Sequence, residues 1–245
     1  MKVQAEHYHA RIWEGIGAAL EGRRRILEVG CGPGDDARRL AAGGHEVMAV
    51  DVEASEGWSL DSHGVTFIEG SAERLPFADD SFDAVLERDA LHHIAEPGRV
   101  LREIRRVLRP DGVAVIVEAN RFNPIFYLHM TRLHGHDHFS TAYLRGLLDA
   151  TFDHVDVSML ETRAYPFVGD RAMPAVRTWE RIVENLPGAR RLAAYSVAVC
   201  RLDDPDRPTS TEAVFRGGVL PALARRGMRV GFHRRAETTS TTREG

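Results

Sequence analysis

The residues with the most chemical content lie in Ile26-Leu-Glu-Val-Gly-Cys-Gly-Pro-Gly34. An apolar run ends in an acid, Glu28, and three glycines follow on alternate positions. Gly30, Gly32 and Gly34 suit a strand that turns sharply into a loop whose bare backbone touches a ligand. Cys31 sits inside that turn. A second apolar run, Val47-Met-Ala-Val-Asp51, closes on another acid about 20 residues later, where a doubly wound nucleotide-binding fold places the partner of a ribose. Asp51 at a strand end can accept from both ribose hydroxyls, and Val52 can pack on the adenine.

The glycine spacing separates two chemistries. A dinucleotide fingerprint reads Gly-x-Gly-x-x-Gly and seats a pyrophosphate at a helix N-terminus. Here Gly30-Cys-Gly32-Pro-Gly34 is followed by Asp35 and Asp36. Two acids opening a helix suit its dipole but repel a pyrophosphate, which counts against a nicotinamide-dependent oxidoreductase. They suit a ligand that is cationic near the turn. S-adenosylmethionine has a sulfonium, an ammonium and no phosphate. Glu28 can bond the ammonium or hold the loop amides, and those amides can bond the methionine carboxylate.

Apolar runs alternating with amphipathic stretches must position these groups. Tyr8, Ile12, Ile16 and Leu20 recur every four residues and predict a helix before the first strand, placed to cover the cofactor end of the sheet. Strands are expected at 25–30, 46–51, 65–68, 84–86 and 113–117, with helices at 35–42 and from Pro97 to Leu108. Such alternation predicts an α/β, Rossmann-like doubly wound sheet. Beyond residue 120 a helix from Asn123 or Pro124 to about 134 is expected, and a second capped by Ser140. Strands at 154–160 and 194–202 follow, with a helix from Val176 to Leu186 between them. The long connection, residues 161–193, reads as a substrate lid.

The ordered landmarks Glu28-Val-Gly-Cys-Gly-Pro-Gly34, Asp51, Gly70-Ser-Ala-Glu-Arg-Leu-Pro-Phe77, Ser81-Phe-Asp83, Leu91-His-His93 and Arg106-Val-Leu-Arg-Pro-Asp-Gly112 resemble the class I S-adenosylmethionine-dependent methyltransferases, in particular the UbiE-like small-molecule group. The resemblance covers residues 20–120 well and 120–202 loosely. It implies a mostly parallel sheet with an antiparallel last strand, formed by Ser196-Val-Ala-Val-Cys200. It places Ser71, Ala72 and Glu73 at the adenine, with Arg88 and Asp89 facing the cofactor. Relatives often carry an aspartate where Ser71 stands; serine is shorter and uncharged, so the Ala72 backbone is the other candidate for that contact.

Methyl transfer from a sulfonium needs alignment and exclusion of water, and a base only when the acceptor is a hydroxyl. The Asn/Asp-Pro-Pro-Tyr of N-methylating relatives is missing after the fourth strand. His93 and His92 stand there as candidate catalytic bases, His93 placed ahead; the other reading packs one histidine beneath the sheet and bonds the other to backbone. His129, His134, His136 and His138 cluster with Asp137. They read as a polar loop, with His138 a candidate substrate or base residue and no metal expected. Asn120 at the end of strand five is a second candidate substrate-binding residue, or else a cap for the following helix. Phe122, Phe126, Tyr127, Phe167 and Trp179 are candidate pocket or core residues.

The chain's 245 residues and 43% hydrophobic content fit one methyltransferase domain over 1–202, with 203–245 as a basic, partly disordered extension. A net charge of -4 gives no global attraction to nucleic acid, and the arginine-rich tail has little aromatic interleaving for stacking on RNA. Cys31 and Cys200 form no disulfide framework, which points to the reducing cytoplasm. No signal peptide or transmembrane segment is expected. The expected function is S-adenosylmethionine-dependent methylation of a small molecule, with oxygen favoured. A protein or RNA acceptor, or a cofactor-binding regulator without transfer, are the alternatives. Oligomeric state is left open.

Overall fold

The computed structural model describes residues 2–59, 63–128, 138–162 and 169–203. Helix α1 (Lys2–Leu20) leads into β1 (Arg25–Val29), α2 (Asp35–Ala42), β2 (Glu46–Asp51), β3 (Val65–Glu69) and β4 (Phe82–Arg88). Helix α3 (Pro97–Val107), β5 (Leu108–Ala119), a single helical turn α4 (Pro124–Phe126), α5 (Thr141–Asp149), β6 (His154–Leu160), α6 (Met173–Asn185) and β7 (Tyr195–Arg201) complete the chain. The seven strands are ordered β3-β2-β1-β4-β5-β7-β6. Only β7 runs antiparallel to its neighbours, β5 and β6. The last strand is therefore inserted inside the sheet rather than added at its edge.

Two apolar layers sandwich this sheet. Val85, Ile116 and Leu27 face α3 and α5 through Leu101, Ile104, Leu144 and Leu148. Ile26, Leu86, Val115 and Val117 face α1 and α2 through Ile12, Ile16, Ala37 and Leu40. Burial on both faces explains why β1, β4 and β5 are nearly continuous apolar runs. Each of these three ends in a glutamate at the carboxyl edge: Glu28, Glu87 and Glu118, all buried. That edge, at the β1/β4 switch in strand order, is where an open α/β sheet leaves its ligand crevice.

The expected helix ending at Arg109-Pro-Asp-Gly112 is observed one residue shorter, and those four residues bulge out of the β4–β5 pairing, which jumps from Phe82↔Leu108 to Ala84↔Val113. The helix expected from Asn123 begins as predicted, Asn123 Oδ1 capping the amides of Ile125 and Phe126. Its continuation past Leu128, the residues His129, His134, His136 and Asp137, Phe167, and the whole arginine-rich extension lie outside the described residues.

Helix α1 straps the two ends of the molecule together. Tyr8 accepts from Arg88 of β4 at 3.2 Å and its hydroxyl meets that of Tyr195 of β7 at 3.0 Å. One turn along, His7 pairs with Glu180 at 2.8 Å and Arg11 with Glu184 at 2.6 Å, both on α6. The helix expected to cover the cofactor end thus also anchors the expected lid.

Candidate active site

The turn after β1 is built from glycines for steric reasons. Gly30 has φ +73°, and a Cβ there would lie 2.3 Å from that of Ala90. Gly34 has φ +83°, and a Cβ would lie 2.4 Å from the ring of Phe67. Gly32, at φ +49°, has open space where a side chain would stand. Beside it, Asp51 Oδ2 accepts from the Gly32 amide at 2.8 Å. Val52 follows, 74% exposed. Trp58, stacked on Phe67, donates through its indole to the Gly32 carbonyl at 2.8 Å and closes the turn from above. Cys31 is buried, its thiol pushed up to about 12 by burial first and by the charges of Glu28 and Asp51; it behaves as packing rather than as a nucleophile.

The turn's amides are committed within the protein. Those of Gly30 and Cys31 go to Val50 O, that of Gly32 to Asp51, and that of Gly34 to Cys31 O. The expectation that they bond a carboxylate of the ligand is corrected accordingly: the turn offers a wall without side chains. Glu28 is 4% exposed, and its Oε2 makes no hydrogen bond among the described residues. Burial, then the neighbouring Asp36, push its carboxyl up to about 8. An orphaned buried oxygen is the partner that a ligand's ammonium would satisfy.

A second cluster lies at the carboxyl ends of β4 and β5, on the α3/α5 face. Glu87 Oε1 accepts from the amides of Ala90 and Leu91, at 2.7 and 2.9 Å, and so fixes the turn that carries the histidines. His92 Nδ1 lies 2.7 Å from Glu118 Oε2, the two side chains 4% and 1% exposed. His93 lies tilted against His92 with ring centroids 4.0 Å apart, and His138 meets His92 edge-on at 4.5 Å. Burial lowers the pKa of His92 against the opposing pull of Asp89, so its imidazole is neutral at physiological pH. Burial raises both glutamates well above the ordinary range, followed by the charge of Glu118 for Glu87 and that of Asp89 for Glu118. Donor atoms of Asp89, His92 and Glu118 lie within 4.8 Å of one another, and within this group His92 and Glu118 form the short contact.

Comparison with known proteins bears on this arrangement. Residues 27–116 match the family described as methyltransferase domain. That span contains the glycine turn, Asp51 and His92. Over these residues the chain is similar to the methyltransferase domain of the class I S-adenosylmethionine-dependent enzymes. An uncharacterized methyltransferase of Bacillus subtilis, YcgJ, is 34% identical over 108 residues, 41% of this chain and 43% of that protein. A demethylmenaquinone methyltransferase of Renibacterium salmoninarum is 28% identical over 180 residues, 72% of this chain and 68% of the relative. A methyltransferase from Archaeoglobus fulgidus shares the fold at TM-score 0.59 and 16% identity, over 80% of this chain and 93% of that one. The chain spans less than half the length of the first curated relatives it matches, 43% for YcgJ.

The cofactor of this methyltransferase class is S-adenosylmethionine, and the residues present fit it. Asp51 at the end of β2 would hold the ribose, the bare wall of the turn would admit the methionine part, and Glu28 would meet its ammonium. Ser71, Ala72 and Glu73 follow β3 at the same edge, the Ser71 hydroxyl accepting from the Glu73 amide at 3.2 Å.

Other expected contacts resolve differently in the methyltransferase domain. Arg88 is bound to Asp36 and Tyr8, and Asp89, at φ +55°, accepts from the Ala119 amide at 3.2 Å and from Tyr195. These two brace β4 against α1, α2 and β5. Asp36 is spent on Arg88, and Asp35 pairs with Arg38 at 2.7 Å, so the glycine spacing rather than the acid pair speaks against a pyrophosphate. Asn120, expected at the substrate, is fully buried. Its amide donates to the carbonyls of Arg191 and Ala193, and its Oδ1 accepts from Phe122. It pins the lid's return to the end of β5. His93, placed ahead on sequence, is exposed, and His92 holds the buried carboxylate partner. Glu87, Glu118, Tyr8 and Trp58 were missed as site residues. For the two glutamates the available signal was an acid closing an otherwise apolar central strand.

Proposed function

We propose that the protein is an S-adenosylmethionine-dependent methyltransferase that transfers a methyl group to a hydroxyl oxygen of a small-molecule acceptor. The observation that carries this reading is the buried His92–Glu118 pair at the carboxyl edge of the sheet, next to the cofactor turn. Bound S-adenosylmethionine supplies an electrophilic methyl on a sulfonium. Glu118 accepts from His92 Nδ1–H and so leaves Nε2 as the free base. His92 Nε2 would take the proton of the acceptor hydroxyl as that oxygen is methylated, and Glu118, once ionised, would stabilise the resulting imidazolium. His93 and His138, packed against the ring, limit water at the base.

Relatives named demethylmenaquinone methyltransferases support a small acceptor over a protein or an RNA. The test is turnover of labelled S-adenosylmethionine against a panel of phenols and hydroxylated metabolites. Methyl ether formation by wild type, lost in His92→Asn while S-adenosylhomocysteine still binds, is the expected result. Methylation that survives His92→Asn unchanged across pH would overturn the base assignment. Failure of wild type to bind S-adenosylhomocysteine would overturn the whole reading.

A further inference from the structure

A cleft of about 830 Å³ opens beside the expected lid, at the β6 end of the sheet. Its volume is that of a small-molecule site. Apolar groups form part of its wall: Met159 of β6, Phe122 after β5, and Leu186 at the end of α6. Phe122 and Leu186 are 60% and 55% exposed, an unusual state for side chains of that size around one opening.

The charges at its mouth are unbalanced. Arg190 and Arg191 line the cleft, and their guanidinium groups make no hydrogen bond or ion pair among the described residues. Arg145, also in the wall, is partly engaged by Asp149 at 3.3 Å. The one acid lining the cleft, Glu184, is spent on Arg11 and the Glu161 amide. Placement of the arginine pair is built in: buried Asn120 and Asn123 hold the carbonyls of Arg191 and Leu192 at 2.9 and 2.8 Å, and Gly188, at φ +91°, makes the turn that precedes them.

The cleft is aligned with the His92–Glu118 pair. Met159 of β6 is opposite Ser196 of β7, and Ser196 is opposite Glu118 of β5. Directly opposite side chains point to the same face, and Thr141 of α5, another cleft residue, bonds Ser196 at 2.8 Å on that face. From Glu118 to Met159 is two strand spacings, about 10 Å. The cleft and the base thus lie on one face of the sheet, with buried Ser196 between them.

We propose that the acceptor is an amphiphilic anion: an apolar body seated in this cleft against Phe122, Met159 and Leu186, with a carboxylate, phosphate or sulfate gripped by Arg190 and Arg191. Guanidinium forks match such oxyanions in geometry and charge. This inference rests on the methyltransferase reading for the reacting end, while the anion site stands on its own residues.

The test is calorimetric titration of octyl phosphate, and of uncharged octanol, into protein saturated with S-adenosylhomocysteine. One octyl phosphate per chain is expected, with octanol at least tenfold weaker. The double substitution Arg190→Gln/Arg191→Gln should weaken octyl phosphate at least tenfold, leaving S-adenosylhomocysteine affinity and unfolding temperature unchanged. Arg24→Gln, an exposed charge at the opposite edge of the sheet, should leave both unchanged. Equal binding of octanol and octyl phosphate, several octyl phosphates per chain, or full affinity in the double variant would overturn the proposal. If wild type binds S-adenosylhomocysteine but not octyl phosphate, the anion cleft fails and the methyltransferase reading survives. The reverse result sinks that reading and leaves the cleft.

Discussion

The cofactor half, residues 25–119, and the acceptor half, residues 120–203, solve opposite problems. The first closes its core on both sheet faces and presents a ligand with bare backbone. The second leaves large apolar side chains open: of the nine exposed ones among the described residues, only Val52 lies before residue 120, and the others fall between Phe122 and Leu192. A site for one invariant ligand can be written into backbone geometry, where glycine positions and a carboxylate suffice. A site for a variable partner is written into side chains instead, as in the cleft lined by Phe122, Met159 and Leu186. The halves meet at the glutamates ending β4 and β5, and α1 ties them through Tyr8 on one side and His7 and Arg11 on the other.

If the halves are separable, substitutions in one should leave the other's ligand untouched. The largest effect is expected for His92→Asn, with turnover down about 10²–10⁴-fold for a lost base and S-adenosylhomocysteine affinity within twofold of wild type by calorimetry. Coupled loss of both would break the division. Next comes Gly30→Ala. Its Cβ would meet that of Ala90 at 2.3 Å on a positive-φ backbone, so about 2–5 kcal/mol of destabilisation should appear in denaturant titration, together with loss of cofactor binding. Asp51→Ala should weaken S-adenosylhomocysteine at least tenfold, about 1.4 kcal/mol, with fold and octyl phosphate binding retained.

A smaller effect separates the roles of Glu28. Its folded pKa, about 8, stands above the ordinary 4.5. Because the native state binds this proton more tightly than the unfolded chain, the associated stability is fully present below about pH 4.5 and is lost as pH rises through 8. Relative to Glu28→Gln, wild type should therefore melt at progressively lower temperature from pH 5 to 8.5. If the ionised carboxylate meets the cofactor's ammonium, wild-type affinity for S-adenosylhomocysteine should rise between pH 6 and 8 while that of Glu28→Gln stays flat. Parallel profiles would assign Glu28 to holding the loop alone. The smallest expected effect is that of a chelator: with His92 acting as a base paired to Glu118, EDTA should leave turnover unchanged, and loss of turnover restored by a divalent ion would reassign Asp89, His92 and Glu118 as a metal site.

Legibility followed the same division. Gly30, Gly32, Gly34 and Asp51 could be read directly because their function depends on local backbone and on the end of a strand, both encoded by adjacent residues. Arg88, Asp89 and Asn120 sit at the correct edge, but the direction of each side chain is decided by residues about 30 to 70 positions away, which no local spacing encodes. His93 and His92 are indistinguishable as neighbours in sequence. Glu118, reaching across from β5, selects His92.

By itself the sequence determined the alternation of strands and helices, the tight turn, the acid that ends β2 and the fold class, since periodicity, glycine sterics and strand-end acids are short-range properties. Tertiary structure decided which histidine gains a buried carboxylate, which charges cancel, and that Met159, Ser196 and Glu118 form one row between an arginine-rimmed cleft and the base. Those are facts of strand order. β7 enters between β5 and β6, and hydrogen-bonded register across three strands brings together residues that the chain keeps far apart.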